Sequence, residues 1–181
     1  MKLSVIIPVY NTEKYIKQCL ESVIKIKIVE TEIIIVNDGS TDNSLNVIEE
    51  FVQNFKQNNN STNHNIKIIT KENQGASAAR NTGIKASTGD YIYFLDSDDW
   101  IETSSFEKII KNIEKNSNDK QLDVIIGKEK AYSEFTKEEV LDERIPRELI
   151  GKTMSGKEYM IKSIKGKFWN VRLPIHIYKR K

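Results

Sequence analysis

Three carboxylates follow directly after a short apolar run in the middle of the chain. The run Tyr91–Leu95 is rich in aromatic residues and too short for a helix, so it predicts a buried strand. Asp96, Asp98 and Asp99 come immediately after it. Like charges this close repel one another, which opposes the ionisation of all three. A divalent cation that prefers oxygen ligands, Mg²⁺ or Mn²⁺, would relieve the repulsion. The residues therefore suggest a metal site at the carboxyl end of a strand.

Two other interpretations of this acidic segment explain less of it. Aspartate is common just before helices, which accounts for Asp99 but not for Asp96, because Asp96 directly follows Leu95 of the buried strand. An EF-hand loop needs a glycine that is absent here, and Trp100 stands among the positions that would have to be ligands. A metal site remains the favoured interpretation.

A second polar segment, Val36–Asp42, follows another apolar run. Its Asp38 is either a turn residue that bonds its own backbone or a carboxylate that accepts hydrogen bonds from a base or a ribose. In the same way, Tyr10 could pack on a sheet or stack on a base, and Arg80 could be a surface cation or a phosphate ligand. The sequence contains neither the glycine fingerprint of a Rossmann dinucleotide site nor a P-loop.

Alternating strands and helices position these residues. Apolar runs predict five strands: Leu3–Val9, Glu32–Val36, Ile66–Thr70, Tyr91–Leu95 and Leu122–Ile126. The helices between them are predicted to begin at Asn11 or Thr12, at Ser40 or Thr41, at Ala76 (ending at Ala86), and at a capping box of Ser104 and Glu107. This alternation predicts a parallel α/β sheet with right-handed crossovers. Ligands of such sheets bind beyond the carboxyl ends of the strands.

Net charge, cysteine content and the absence of long apolar stretches limit the possible functions and the cellular compartment. A net charge of +2 over 181 residues gives no reason to expect a nucleic-acid partner. The single cysteine, Cys19, excludes an internal disulfide and lies on an apolar helical face, which predicts a core position. Neither a signal peptide nor an apolar stretch of membrane-spanning length is predicted, so we expect a cytoplasmic protein. The basic residues 179–181 could favour the inner face of an anionic membrane as a peripheral site.

The pattern weakens after residue 127. Ser155 and Glu158 form a second capping box, which predicts a short helix ending at Ile164. His64 falls in an Asn-rich segment, residues 57–65, that predicts a solvated loop, whereas His176 lies between two isoleucines and is expected in a strand.

Four ordered segments resemble the successive signatures of the family 2 glycosyltransferases of GT-A fold. They are Ser4–Asn11, Val36–Asp42, Asn73–Gly75 together with Ala79–Asn81, and Phe94–Asp99. The resemblance covers roughly the first two-thirds of the chain, and four ordered motifs are far more specific than one. It implies an α/β GT-A fold, a Rossmann-like and mostly parallel sheet flanked by helices. It also implies inverting transfer of a sugar from a nucleotide diphosphate, usually UDP, to an acceptor hydroxyl.

The resemblance implies roles for individual residues on the nucleotide side. The nucleotide pocket would be lined by Pro8, Val9, Tyr10 and Glu13. Asp38 would hold the uracil or the ribose, and Arg80 would lie near the base or the diphosphate.

The resemblance also implies that a metal ion assists the departure of the diphosphate leaving group. Asp96 and Asp98 match the family's Asp-x-Asp motif, with Asp96 facing the ribose and the metal, and Asp98 ligating Mn²⁺ or Mg²⁺ across the diphosphate. A cation at that place would stabilise the charge that the leaving diphosphate gains.

The general base of inverting transfer is not identified in this sequence. In the family it is an Asp or Glu, often in a Glu-Asp pair well downstream of the Asp-x-Asp motif, and Asp142, Glu143 and Glu148 match no such motif. Residues 168–181 resemble the segment that precedes it. We therefore expect a nucleotide-sugar-binding α/β domain at residues 1–127, followed by a partial, apparently truncated acceptor-side region at residues 128–181.

Three functions are consistent with these residues. The first is a metal-dependent inverting glycosyltransferase that acts on a saccharide or lipid-linked acceptor in surface polysaccharide or glycolipid synthesis. The second is a donor-binding module that lacks transfer activity because the base is missing. The third is a nucleotidyltransferase, which would release pyrophosphate instead of UDP.

Overall fold

One six-stranded sheet organises the chain, in the strand order β3-β2-β1-β4-β8-β5. The computed structural model describes residues 1–58, 64–116, 123–127, 130–132, 136–141, 151–159 and 176–180. In chain order the elements are β1 (Lys2–Val9), α1 (Ile16–Val23), β2 (Glu30–Asp38), α2 (Ser44–Asn58), β3 (His64–Lys71), α3 (Ala76–Ala86), β4 (Tyr91–Phe94), α4 (Thr103–Asn116), β5 (Val124–Ile126), β6 (Lys130–Tyr132), β7 (Glu139–Leu141) and β8 (His176–Lys179). Strands β6 and β7 pair separately with each other.

The sheet is parallel over most of its width. Strand β1 lies between β2 and β4 and is parallel to both, and β3 is parallel to β2. Strand β8 is antiparallel to β4 on one side and to β5 on the other. The predicted mostly parallel α/β sheet is confirmed. The boundary at residue 127 stays a prediction, and β8 brings residues 176–179 of the second region into the sheet of the first.

Both faces of the central strands are buried, as parallel sheets require. In β1, Val5 and Ile7 belong to a large apolar cluster with α1, α2 and α4, while Ile6 faces a smaller cluster with Ala79 of α3. This alternation follows from the two-residue period of a strand. At Gly83 of α3, a Cβ atom would lie 2.3 Å from Cγ2 of Ile6. Glycine therefore allows α3 to pack directly on β1, as its small residues predict.

The structure corrects the predicted starts of α1 and α2. Helix α1 begins at Ile16 without a side-chain cap, so neither Asn11 nor Thr12 caps it. Helix α2 begins at Ser44, whose N–H donates to Oδ1 of Asp42 over 2.9 Å. The predicted caps Ser40 and Thr41 are wrong because the aspartate nearest the first turn supplies the acceptor.

The capping box predicted for α4 is also wrong. Glu102 lies before the helix, where its two carboxylate oxygens accept from the N–H groups of Ser104 (3.3 Å) and Ser105 (2.8 Å). Glu107 instead accepts from the N–H of Lys27 over 3.3 Å and so connects α4 to the segment after α1. In the second capping box, Oγ of Ser155 does accept from the N–H of Glu158, over 3.1 Å.

His64 is the first residue of β3 and does not lie in a solvated loop. Its Nε2 lies 3.0 Å from the carbonyl oxygen of Ile24, and burial lowers the pKa of its ring. His176 lies in β8 as predicted. Several predictions fall outside the described residues, namely those on Leu122 of the first region and on Asp142, Glu143, Glu148, Ile164 and residues 168–171 of the second. No helix in the described ranges is both long and apolar enough to span a bilayer.

A buried carboxylate ties β1, β2 and β4 together at the amino edge of the sheet. Glu32 of β2 accepts hydrogen bonds from the Ser4 hydroxyl, from Oγ1 of Thr88 (2.6 Å) and from the N–H of Gly89 (2.9 Å). Nζ of Lys2 lies 3.3 Å from Oε2 of Glu32, the oxygen that also accepts from Thr88 Oγ1. Burial alone raises the pKa of Glu32, but the bonds from Ser4, Thr88 and Gly89 outweigh burial and lower the pKa from 4.5 to about 2.

We expect Glu32 to make folding stability depend on pH. Because its pKa is lower in the folded state, its contribution is fully present above pH 4.5 and is lost as the pH falls towards about 2. The contribution is on the order of 3 kcal/mol at neutral pH. Glu32→Gln should lower the free energy of unfolding by about 2–4 kcal/mol at pH 7, because an amide cannot accept from every donor. Urea denaturation at pH 7 and pH 3 measures both effects.

Glu30→Gln is the matched control for this test. Glu30 lies on the same strand and its side chain is 66% exposed, so its substitution should change the free energy of unfolding by less than about 0.5 kcal/mol. A difference between wild type and Glu32→Gln that stays constant from pH 7 to pH 3 would contradict the assigned role.

Candidate functional site

The carboxyl ends of β1, β2 and β4 meet at one edge of the sheet, because these three strands are parallel. After β1 the chain builds β2 and β3 on one side, and it places β4 on the other side. The crevice between the ends of β1 and β4 is therefore a topological switch point, where open α/β sheets bind ligands. Tyr10 follows β1 with half of its side chain exposed, and Asp96 lies two residues beyond β4.

The acidic loop, residues 96–101, presents one carboxylate that is held by an ion pair and two that are exposed. Oδ1 of Asp96 accepts from Nη2 of Arg80 over 2.6 Å. The N–H of Asp99 donates to the carbonyl oxygen of Asp96 over 3.0 Å, which closes a tight turn. Asp98 at the tip is exposed. Asp96 is thus held by α3, whereas the carboxylate of Asp98 faces solvent.

Arg80 lies between the acidic loop and a cleft beneath α3. Its side chain is mostly buried, and its Nε has no hydrogen-bond partner among the described residues. The cleft encloses about 380 Å³ and is lined by Ser77, Arg80, Asn81, Ile84, Ile92, Phe94 and Tyr178. Arg80 therefore connects the loop carboxylates to a largely apolar cleft on the α3 face.

Cys19 supports the acidic loop from the opposite face of the sheet. The thiol is fully buried, as predicted for a core position, and its Sγ lies 3.7 Å from the carbonyl oxygen of Asp96. Burial raises the pKa of the Cys19 thiol, and the carboxylates of Asp99, Asp98 and Asp96 raise it further. The thiol is therefore protonated at neutral pH and can donate to that carbonyl.

Asp38, at the end of β2, is buried and fully hydrogen-bonded. Its carboxylate accepts from Nζ of Lys71 (2.6 Å) and from the N–H groups of Gln74 (3.1 Å) and Gly75 (2.7 Å). Burial raises the pKa of Asp38, but these bonds more than compensate and the pKa is lowered. The bonds of Asp38 fix the segment before α3. Asp38 thus bonds backbone N–H groups, as the turn interpretation predicts, but they belong to a segment distant in sequence and not to its own turn. Contact with a uracil or ribose stays a prediction.

Asn11 connects the end of β1 to the loop after β2. It adopts a left-handed conformation with φ of +53°, which asparagine tolerates better than most residues. Its Oδ1 accepts from the N–H groups of Thr41 (2.8 Å) and Asp42 (3.4 Å), and its own N–H donates to Oγ of Ser40 (3.2 Å). The loop after β1 and the loop after β2 are thereby held in one arrangement.

Glu13 and Asp42 complete this connection. The N–H of Glu13 donates to Oδ2 of Asp42 over 3.1 Å, and Oε2 of Glu13 accepts from the N–H of Asn43 over 2.9 Å. Glu13, predicted to line a nucleotide pocket, therefore braces the loop beside it. Val9 is buried in the core, so only its backbone is available to a ligand at this edge, while Pro8 is partly exposed.

Gly39 lets the loop after β2 approach the segment before α3. Its φ is +69°, and a Cβ atom there would lie 2.8 Å from the backbone nitrogen of Asn73. Both its conformation and the available space therefore favour glycine.

We expect Gly39→Ala to destabilise the protein more than Gly151→Ala. Gly151 has a similar φ of +71°, but no atom of the described residues lies within 4 Å of an added Cβ atom, so we expect only the conformational cost of about 1 kcal/mol there. At Gly39 the contact with backbone adds about 1–3 kcal/mol. Thermal and urea denaturation of the two variants measure this difference. Equal destabilisation would show that the loop after β2 can move away from the segment before α3 at no cost.

Comparisons with known proteins agree with this geometry. Residues 4–173 match the family described as Glycosyl transferase family 2. The chain belongs to this family. It is similar to Glycosyltransferase GlyA of Streptococcus pneumoniae serotype 4 (strain ATCC BAA-334 / TIGR4), with 41% identity over 133 residues that span 74% of this chain and 17% of GlyA. It is also similar to the minor teichoic acid biosynthesis protein GgaB of Bacillus subtilis (strain 168), with 36% identity over 124 residues, 67% of this chain and 13% of GgaB.

Solved structures show the same fold. The crystal structure of S. aureus TarS 1–349 in complex with UDP-GlcNAc has a TM-score of 0.69 and 25% identity, and the match covers 99% of this chain and 45% of that one. The predicted GT-A fold of this family 2 chain is confirmed. The chain spans less than half the length of these relatives.

The structure brings most of the predicted site residues of this family 2 chain to one edge. Tyr10, Asp38 and Asp96 follow or end neighbouring strands, and Arg80 reaches Asp96 from α3. Sequence reasoning missed the contacts that hold this edge together, which Asn11, Asp42 and Lys71 make. The Asp-x-Ser spacing of Asp42 and Ser44, typical of a side chain that bonds the backbone two residues on, could have indicated one of them.

Proposed function

We propose that this chain carries the donor-binding part of a metal-dependent inverting glycosyltransferase that uses a UDP-sugar. The observation that carries the proposal is the position of Asp96 and Asp98, directly after the central strand and at the switch point of the sheet. TarS, a structural neighbour, has been crystallised with UDP-GlcNAc and with UDP, which supports a nucleotide-sugar donor. This arrangement matches what the chemistry needs, a cation held where the diphosphate leaves.

The acidic loop fits a cation that takes most of its ligands from the substrate. In the ranges that the structure describes, no group of three or more His, Cys, Asp or Glu side chains could hold a metal ion. Mg²⁺ and related ions are commonly held by one or two carboxylates plus phosphates and water. Asp98 is exposed, and one oxygen of Asp96 remains beside the oxygen that Arg80 binds. Bound there, Mn²⁺ or Mg²⁺ would stabilise negative charge on the leaving diphosphate.

The nucleoside would lie over the ends of β1 and β2. The exposed ring of Tyr10 would supply a stacking surface for the base, and Pro8 and Val9 lie directly before it at the end of β1. Asp38 is available to uracil or ribose if Lys71 and the Gln74 N–H give way. Arg80 would face the diphosphate or the base.

The acceptor is proposed to be a saccharide or lipid-linked saccharide in polysaccharide or glycolipid synthesis. GgaB is named for minor teichoic acid biosynthesis, and a similar protein of Pasteurella multocida (strain Pm70) is a chondroitin synthase, 37% identical over 113 residues. The general base of the transfer is not assigned to any of the described residues. The family match favours glycosyl transfer over nucleotidyl transfer.

Asp98→Asn should weaken Mn²⁺-dependent UDP binding by at least about tenfold, because it removes the exposed metal-binding carboxylate. Isothermal calorimetry with UDP and Mn²⁺ measures this affinity, and uridine without metal reports the nucleoside contacts separately. Asp99→Asn is the matched control, since it removes another exposed charge one residue away and should leave both affinities within about twofold. Unchanged UDP affinity in Asp98→Asn would remove Asp98 from the site.

A product assay tests the reaction itself. With a UDP-sugar, Mn²⁺ and a saccharide acceptor, a glycosyltransferase releases UDP and extends the acceptor. Tight UDP binding without transfer would identify a donor-binding module, and release of pyrophosphate would identify a nucleotidyltransferase. Absence of Mn²⁺-dependent UDP binding in the wild-type chain would overturn the proposal.

A further inference from the structure

Helix α1 contacts both ends of the acidic loop. At the first end, Sγ of Cys19 lies 3.7 Å from the carbonyl oxygen of Asp96. At the second, Oγ of Ser22 accepts from the N–H of Ile101 over 3.0 Å. Cys19 and Ser22 are three residues apart and so share one face of the helix, about 4.5 Å apart along its axis. One helical turn therefore sets the separation of the two ends of the loop.

The Ser22 hydroxyl donates one hydrogen bond and accepts another, and it is shielded from solvent. It donates to the carbonyl oxygen of Cys19 over 2.6 Å, which leaves a lone pair for the N–H of Ile101. Ser22 and Ile101 are both only 6% exposed. A substrate therefore cannot reach this hydroxyl, and any effect of Ser22 on ligand binding must act through the loop.

Between the two contacts, Ser97 is buried, whereas Asp98, Asp99 and Trp100 are exposed. Asp96 is held by Arg80 and by the turn to the N–H of Asp99. Asp98 thus depends for its position on how the loop is closed at Ile101. Without an acceptor at residue 22, the Ile101 N–H would be buried without this partner, and the loop would gain freedom at its carboxyl end.

We propose that Ser22 is a positioning residue for the metal-binding carboxylates, holding the carboxyl end of the acidic loop so that Asp98 stays within reach of a cation shared with Asp96. The inference rests on the proposed function, because it assumes that these carboxylates bind a cation with a nucleotide diphosphate. A residue that only stabilised the fold would affect all ligands alike. A positioning residue affects the metal-dependent part of binding.

The test compares Ser22→Ala with Ser87→Ala. Ser87 is also a buried serine whose Oγ bonds a carbonyl three residues earlier, that of Ile84 at 2.7 Å, and it lies at the carboxyl end of α3, away from the acidic loop. Calorimetry gives the affinity for UDP with Mn²⁺ and, separately, for uridine without metal. Ser22→Ala should weaken the first about tenfold, which corresponds to the loss of one buried hydrogen bond, and change the second by less than about twofold. Ser87→Ala should leave both within about twofold.

The outcomes separate this inference from the proposed function. If wild type shows no Mn²⁺-dependent UDP binding, the proposed function fails and the inference fails with it. If wild type binds and Ser22→Ala binds equally well, or loses both affinities in parallel, only the positioning role is overturned. Should Ser22→Ala fail to fold, Ser22→Thr and Ser22→Cys are compared instead. The threonine hydroxyl should preserve UDP binding, and the weakly accepting thiol should not; equal affinities would overturn the role.

Discussion

The parallel pairing of β1 with β2 on one side and β4 on the other is the constraint on which the site depends. It fixes three carboxyl ends at one edge, so that residues distant in sequence become neighbours. Register matters as much as direction, because a shift of one residue would exchange the two faces of β4. Glu32 stabilises that register from the amino edge through its bonds to Ser4, Thr88 and Gly89.

Polar groups at the carboxyl edge divide into those already paired and those left to solvent. The side-chain oxygens of Asp38, Asp42 and Asn11 accept hydrogen bonds from backbone N–H groups of neighbouring loops. Asp98 and Tyr10 remain exposed. Such preorganisation reduces the ordering that a ligand must impose when it binds. The hydrogen-bonded loops therefore form the fixed part of this edge, and Asp98 and Tyr10 are its exposed side chains.

Sequence patterns predicted elements well where one local signal dominates. Helix α3 has the predicted bounds, and the apolar runs located β1 and β4 to within a residue. Helix starts were predicted poorly, because Glu102 reaches the first turn of α4 ahead of the expected Ser104. The partners of Asp38 and Glu32 depend on tertiary register, which no local pattern contains. Strand β8 was expected to be a strand, but its place between β4 and β5 depends on topology alone.

That place has a consequence for the order in which the chain can fold. Strand β4 carries the acidic loop, yet one of its two neighbours is β8, whose residues 176–179 are synthesised more than 80 residues later. Until then, β4 is the edge of a four-stranded parallel sheet, and its unpaired backbone groups are open to other chains. A nascent chain that already contains all four family motifs therefore still exposes a sheet edge beside them, where chaperones or misassembly would compete with folding.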